Sequence, residues 1–181
     1  SLVEKQVSVL RERNVEMRHK LNKLTGNARD NDKIHEKTSE LVLQLIDANS
    51  IKQLHKVFVD GMAASFGVDH ASMVLYGEPD SIAGCRVETR ERAESEIGSL
   101  FRGSKAVCGT LRKEELNFLF PQAGDTGSAA LVPLTGSEQP GLVAVGSADA
   151  GRYHSDVGTL FLSHIANVIV RILPRLKALE H

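Results

Sequence analysis

The residues in this sequence best suited to chemistry are its two cysteines, Cys85 and Cys108. A thiol pair can carry out a reductase reaction when one thiol has a lowered pKa or an exposed thiolate. Arg86 beside Cys85 favours this weakly, but no neighbouring groups that would activate and then recycle a thiol accompany it. Cysteine is also a common small apolar core residue. We therefore expect no catalytic residue, with a cysteine-dependent redox enzyme as the alternative.

The seven histidines do not form a metal-binding pattern. No His-x-x-x-His lies on one predicted helix, and there is no Cys-x-x-Cys. His70 begins a predicted strand and His164 lies on an apolar predicted helix, and both positions are typical of core or interface histidines. We expect no metal site and no cofactor.

Two further catalytic motifs are incomplete. Gly103-Ser104 and Gly127-Ser128 lack the second glycine of a Gly-x-Ser-x-Gly elbow. Gly146 and Gly151 have the spacing of a phosphate loop, but no Lys-Ser/Thr follows them. The sequence therefore favours a non-enzymatic protein.

The composition is that of an ordinary globular protein. The 181 residues are 41% hydrophobic and 25% charged, with a formal net charge of -1. Two cysteines make no disulfide framework, which fits a reducing compartment, and no signal peptide is visible. The longest apolar run, Leu160 to Leu173, is shorter than the roughly 18 residues that cross a bilayer. We expect a cytoplasmic protein without a membrane partner.

Residues 1–30 are predicted to form a coiled-coil helix that pairs two copies of the chain. Apolar residues alternate at steps of three and four, which places one seam of heptad a and d positions along the helix. The predicted seam consists of Val3, Val7, Leu10, Asn14, Met17, Leu21 and Leu24. Asn14 at an a position is typical of a buried polar residue that sets the register.

The charged residues of this helix have both signs: Arg11, Arg13, Arg18, Lys20 and Lys23 alternate with Glu4, Glu12 and Glu16. A dedicated nucleic-acid-binding helix is less mixed, so a nucleic-acid-associated adaptor is kept only as an alternative. Arg13 and Arg18 occupy flanking g and e positions, where they would repel each other in a parallel pair. Antiparallel pairing and a four-helix arrangement therefore stay open.

The remaining residues predict an α+β domain. Its expected elements are a helix from Ile34 to Ala48, a helix that opens at the capping box Ser50–Gln53, a strand from His70 to Tyr76, a hairpin of Ser128–Leu134 with Gly141–Ser147, and a last helix capped by Ser155. Pro133 predicts a sheet edge or bulge within the hairpin. This order favours a mainly antiparallel sheet with helices on one side.

Two surfaces of this domain are expected to have a function. The last helix is apolar on most sides, so we expect the sheet on one face and a second copy on the other, with Phe161, Ile165 and Ile172 in the dimer interface. A small apolar pocket is expected between the sheet and residues 91–120. Its predicted wall residues are Leu100, Phe101, Phe118 and Phe120, with Cys108 nearby; the alternative is that these side chains fill the core.

The segment PGLVAVGSADAGRYHSDVGTLFLSHIANVIVRIL resembles the end of a GAF domain, with a glycine-bounded strand, an acidic residue, an arginine beside an aromatic residue, and a capped helix. The match rests on Gly141, Gly146, Ser147, Asp149, Arg152, Tyr153 and Asp156. The opening SLVEKQVSVLRERN, followed by a helix and SIKQL, resembles the bacterial DUF484 family, in which a coiled helix precedes a GAF-like domain and no function is assigned.

This resemblance implies a PAS-related fold that senses small molecules, dimerises, or both. It implies a coiled-coil helix at 1–30 and a GAF-like domain at 31–176. Residues 177–181 are interpreted as a tail, because Leu179-Glu180-His181 match the remnant of an expression tag. The NKxDE pattern of cyclic-nucleotide GAF domains and the bilin-attachment context are absent. Free methionine sulfoxide reductases share the fold, and the two cysteines match them in residue type alone.

Overall fold

The computed structural model describes residues 1–101, 105–135, 140–153 and 159–179, with only the backbone described for Asn27 and Phe101. The predicted helix cap Ser155 and the matching residue Asp156 lie outside these ranges. The chain divides into two compact units, Ser1–Glu36 and Lys37–His181.

The first unit is the beginning of helix α1, which extends from Leu2 to Ile46. Gly26-Asn27, where the sequence indicated a possible break, lies within this helix, and so does the helix predicted to start at Ile34. A glycine in a helix costs only about 1 kcal/mol relative to alanine, which a long helix tolerates. The apolar residues of the predicted seam are exposed, from 41% for Val7 to 67% for Met17.

The second unit contains the end of α1 and the remaining elements. These are α2 (Ile51–Phe66), β1 (His70–Tyr76), β2 (Arg86–Glu88), α3 (Arg90–Ile97), a 3-10 turn (Gly98–Phe101), β3 (Val107–Gly109), α4 (Lys113–Leu119), β4 (Ser128–Leu134), β5 (Gly141–Ser147) and α5 (Leu160–Leu179). The predicted cap at Ser50 is present, because the Ser50 hydroxyl accepts a hydrogen bond from the Gln53 N–H at 3.0 Å, while the Gln53 side chain accepts one from the Asn49 N–H at 2.8 Å. Gly67, with φ of 60°, ends α2 in the left-handed conformation.

The strands form one sheet in the order β2-β1-β5-β4-β3. All neighbouring pairs are antiparallel except β1 and β2, so the sheet is mixed but mainly antiparallel, as predicted. The predicted hairpin is the β4–β5 pair, with Pro133 opposite Leu142. Strand β3 pairs with Ala129–Leu131, so Pro133 lies beyond that pairing, at a sheet edge.

Both faces of the sheet are covered. Because side chains alternate along a strand, Met73 and Leu75 of β1 join one core cluster and Val74 joins the other. The end of α1, α2 and α5 pack on the first face. The short helices α3 and α4 contribute Ala93, Ile97 and Phe118 to the second face, where residues 91–120 were expected to cover a pocket.

Helix α5 packs on other elements of its own chain, and this packing includes the residues predicted for the dimer interface. Ile165 is fully buried and Ile172 is 7% exposed, both in the first core cluster. Phe161 is partly buried and stacks on Phe66 of α2, with ring centroids 4.7 Å apart. Part of the apolar surface of α5 is therefore covered by α2 of the same chain. The outer stripe of α5 is polar and carries His164, Asn167, Arg171 and Arg175.

Candidate functional site

A cleft of about 420 Å³ opens beside the first residues of β1. Its walls come from α2, the start of β1, Arg86 of β2 and the turn that follows α4. The lining residues are Val59, Asp69, His70, Ala71, Ser72, Arg86, Leu119, Phe120, Pro121, Gln122 and Ala123. His70 and Ser72 lie on the same face of β1 as Val74, so part of the cleft belongs to the side covered by α3 and α4.

His70 connects the strand to the turn after α4. Its Nε2 lies 3.2 Å from Asp125 Oδ1, and its ring centroid lies 5.9 Å from that of Phe120. The His70 side chain is 26% exposed and the Asp125 side chain is 75% exposed. The imidazole is therefore held between an exposed carboxylate and a buried ring, where it can donate to or accept from a ligand.

Arg86 is the half-buried cation of the cleft. Its Nη1 donates to the carbonyl oxygen of Leu119 at 3.2 Å, and its Nε lies 3.5 Å from Glu88 Oε1. The guanidinium carbon lies 4.7 Å from the ring centroid of Phe118, a cation–π contact. Burial lowers the pKa of Arg86, and the neighbouring Glu88 carboxylate partly opposes this. The guanidinium stays charged and is fixed in position.

Asp69 lines the other side of the cleft. Its Oδ2 accepts hydrogen bonds from the Ala148 N–H at 2.8 Å and from the Ser147 hydroxyl at 3.3 Å. The Ala148 N–H contributes most to a lowered pKa of Asp69, with smaller contributions from Ser147 and the charges of His70 and Arg152. Asp69 therefore ties the start of β1 to the end of β5 as a carboxylate.

The residues of the GAF resemblance act mainly in the scaffold. Arg152 donates to the carbonyl oxygens of Gly67 and Phe66 at 2.8 and 2.6 Å, which fixes the chain after β5 to the end of α2. A Cβ at Gly141 would collide with the backbone of Val74, so a glycine is needed where β5 passes β1. These contacts explain the pattern without assigning it a ligand.

The structure places the predicted pocket residues on opposite faces of the sheet. Phe118 and Phe120 are buried in the second core cluster with Leu100 packed against it, and Phe120 also lines the cleft. The side chain of Phe101 lies outside the described part of the chain. Cys108 packs against the first cluster, on the opposite face of the sheet, so it is not brought together with Phe118 and Phe120.

Sequence reasoning missed Asp69, Arg86 and the role of His70 in the cleft. His70 at a strand start and Arg86 beside a cysteine were both visible in the sequence, yet neither carries a spacing pattern. They meet because β1 and β2 are neighbours, with Val74 opposite Arg86 in the parallel register. This pairing places Arg86 beside β1, where it lines the same cleft as His70.

The two cysteines lie near opposite edges of the sheet. Cys108 is in β3, Cys85 precedes β2, and three strands separate β3 from β2. At about 4.8 Å per strand the separation across the sheet is roughly 19 Å. A disulfide needs Cα atoms within about 7 Å, so one chain cannot use them as a dithiol pair.

Within the described ranges, no group of three or more His, Cys, Asp or Glu side chains is arranged to hold a metal ion. Among those same residues, no helix combines the length and apolarity that crossing a bilayer requires.

The lining of the cleft offers a cation, an imidazole, a hydroxyl and an aromatic wall. These are groups for binding a small molecule.

This fold is that of a GAF domain. The GAF domain of an Acinetobacter phosphoenolpyruvate-protein phosphotransferase is 16% identical with a TM-score of 0.60, over 79% of this chain and 93% of that one. The corresponding domain from Coxiella burnetii is 11% identical with a TM-score of 0.61, over 81% and 95%. A far-red-absorbing protein with bound biliverdin IXα is 10% identical with a TM-score of 0.55, over 78% and 99%.

The chain belongs to the DUF484 family, described as proteins of unknown function, whose family model matches residues 1–178. The family predicted from the N-terminal and C-terminal segments is thus confirmed. Among proteins with curated functions, none matches this sequence closely enough to count as a relative.

Proposed function

We propose that this protein is a non-enzymatic sensory module whose GAF-like unit binds a small molecule in the cleft beside β1. The observation that carries the proposal is the composition of the cleft wall. Arg86, His70 and Phe120 line one cleft with a volume of about 420 Å³. This volume lies within the range of about 300–1,000 Å³ that small-molecule pockets occupy. The wall fits a ligand with a flat apolar part against Phe120 and an acceptor group toward Arg86.

Two observations support binding over turnover. A structural neighbour was determined with biliverdin IXα bound, so a domain of this fold can hold an organic ligand. The separation of Cys85 from Cys108 removes the intramolecular dithiol that a two-cysteine reductase would use. Neither cysteine is among the residues that line the cleft.

We also propose that the protein forms a homodimer through its N-terminal helices. Val3, Leu10, Met17, Leu21 and Leu24 are each more than 60% exposed and lie on one heptad stripe. A continuous apolar stripe of this kind is usually buried against a partner. A second copy of the same helix supplies an identical stripe.

Native mass spectrometry of protein purified from its own cells tests the ligand proposal. The parent protein should retain a small-molecule mass, and R86M and F120A should lose it. R90M is the matched control, because Arg90 of α3 contacts the ring of Tyr76 in β1 and does not line the cleft. The ligand proposal fails if the parent retains nothing, or if R86M retains as much as the parent.

Sedimentation tests the homodimer separately. Replacing Leu10 and Leu21 together by Glu should weaken association by about 3 kcal/mol or more, because charges would be buried in the seam. Ser8 and Asn22 occupy exposed b positions, so the same double change to Glu there should leave the dimer intact. A parent protein that is monomeric at tens of micromolar overturns the homodimer.

A further inference from the structure

Part of one edge of β1 has no strand beside it. Strand β2 pairs with β1 only from Val74 onward, where Arg86 lies opposite Val74. The chain before Arg86 lies toward α2, since Gly84 is so close to Lys52 that a Cβ there would be 2.5 Å from Lys52 Cγ. We call His70–Met73 on this side of β1 the free edge. In the described part of the chain, no strand pairs with the free edge.

The main-chain groups of β1 point to its two neighbours in turn. The Tyr76 N–H donates to the carbonyl oxygen of Pro140, next to β5, at 2.9 Å. The Gly77 N–H instead donates to the carbonyl oxygen of Glu88 in β2, at 3.0 Å. Odd-numbered residues of β1 therefore direct their N–H and C=O groups toward the β2 side. Ala71 is one of these residues and lines the cleft, so it presents one donor and one acceptor to an extended molecule there.

Side chains of the cleft surround the free edge and give its two ends opposite charges. Val59 of α2 lies on one side and Phe120 on the other. Asp69 directly precedes the free edge, and Arg86 lies opposite the residue that follows it. Five residues of strand span about 16 Å, which leaves room between the two charged side chains for about three extended residues. Within the described ranges, Nη1 and Nε of Arg86 have protein acceptors, and Nη2 has no hydrogen-bond acceptor.

These charges select the direction of a peptide that lies along the free edge. A peptide parallel to β1 brings its terminal carboxylate to Arg86 and its terminal ammonium toward Asp69. The reverse direction would bring the ammonium to the guanidinium, where like charges repel. In the parallel direction, the last residue of a tripeptide lies opposite Ser72, and its side chain shares a face with His70 and Phe120. An aromatic last residue fits this position.

We propose that the cleft binds a short free peptide, about three residues long, which adds to β1 as a parallel strand and places its carboxylate at Arg86. The inference rests on the proposed function and names the class of ligand. In strand addition of this kind, main-chain hydrogen bonds supply affinity, and pockets for alternate side chains supply specificity. Here the main-chain bonds come from Ala71, and the pocket is the wall that contains Phe120.

The first test titrates the full chain with the tripeptide alanyl-alanyl-phenylalanine and with its C-terminal amide, by calorimetry. The acid should bind with a Kd below about 1 mM and at least about tenfold more tightly than the amide. R86M should abolish this preference. R90M should keep it, because Arg90 is not among the residues that line the cleft. Equal affinity of the parent protein for both peptides overturns the inference.

Amide hydrogen exchange tests the strand pairing in the unsubstituted protein. The tripeptide should slow exchange of the Ala71 N–H at least about tenfold, whereas the Ser72 N–H, which points toward β5, should change little. The ester analogue alanyl-alanyl-phenyllactate lacks the N–H that would donate to the Ala71 carbonyl oxygen, and it should bind about threefold more weakly or worse. Unchanged exchange at Ala71 in the presence of saturating tripeptide overturns the inference.

Native mass spectrometry distinguishes failure of this inference from failure of the proposed function. If the parent protein retains a non-peptide molecule that R86M loses, and binds no tripeptide, the inference is overturned and the proposed function stands. If the parent protein retains nothing and binds no tripeptide, both are overturned. Retention of a mass that fragments as a short peptide supports both.

Discussion

The ring of Phe120 lies directly against the backbone of Gly146. A Cβ at Gly146 would be 2.9 Å from Phe120 Cε2 and 3.1 Å from the Thr126 methyl carbon. Gly146 is also the cross-strand partner of His70. The position of the aromatic cleft wall therefore depends on the absence of a side chain on β5.

Adding a side chain at Gly146 should displace Phe120 and deform the cleft. We expect G146V to destabilise the protein by about 1–3 kcal/mol, the usual cost of overpacking, and to abolish retention of a small molecule. Urea unfolding and native mass spectrometry measure the two effects. G98A is the control, because its Cβ would meet only Glu94 Cβ at an ordinary 3.7 Å. Retention by G146V equal to the parent would contradict the assignment of this wall.

Arg175 satisfies carbonyl groups at the end of α1. Its Nη2 donates to the carbonyl oxygens of Ile46 and Ala48 at 2.9 and 3.2 Å. R175M should cost about 1–3 kcal/mol, because charge-assisted hydrogen bonds to a helix end are lost. Arg171 bonds within α5 to Asn167, so R171M should cost under about 0.5 kcal/mol. Equal denaturation midpoints for both variants would argue against the cap.

Asp69 should make stability depend on pH. Its pKa is lower in the folded protein, so it stabilises the fold above its unfolded pKa of about 3.9, and this is lost as pH falls through the folded value. D69N should therefore be less stable than the parent at pH 7, and the difference should shrink below about pH 4. Urea titrations of both proteins at pH 7 and below about pH 4 measure this difference in stability. D30N removes an exposed carboxylate of α1 and serves as the control.

Both cysteines should be dispensable. C85S/C108S should keep the fold and the oligomeric state, at a cost of no more than about 2 kcal/mol for two partly buried positions. Circular dichroism and sedimentation measure the outcome. A thiol titration that finds a pKa below about 6 for either cysteine would instead support the redox-enzyme alternative.

Asn14 should limit the ways in which the N-terminal helices pair. N14L should raise the thermal midpoint and broaden the distribution of oligomers, because an apolar a position no longer penalises other registers. N22L places the same side chain at a b position outside the seam and should do neither. Analytical ultracentrifugation across a concentration series compares the oligomer distributions of N14L and N22L. A single oligomer with unchanged stability for N14L would remove Asn14 from the interface.

Elements that depend on hydrophobic periodicity or on local cap and turn residues were predictable from the sequence alone. The helix cap at Ser50, the stop at Gly67 and the β4–β5 hairpin depend on neighbouring residues, and the structure has all three. The cleft was not predictable in detail, because His70, Arg86 and Phe120 meet only through strand pairing. The packing of α5 was not predictable in detail for a similar reason, because Ile165 and Ile172 pack on distant elements of their own chain. An apolar helix surface predicts burial, but it does not say which chain covers it.

Pro133 has a consequence for how these molecules behave at high concentration. It lies in β4 beyond the three residues that pair with β3. Proline lacks the amide hydrogen that an incoming strand would bond, so this stretch of the rim is a poor template for strand addition. At high protein concentration, the sheets of two molecules are therefore poorly able to join through this stretch of β4 into fibrous aggregates.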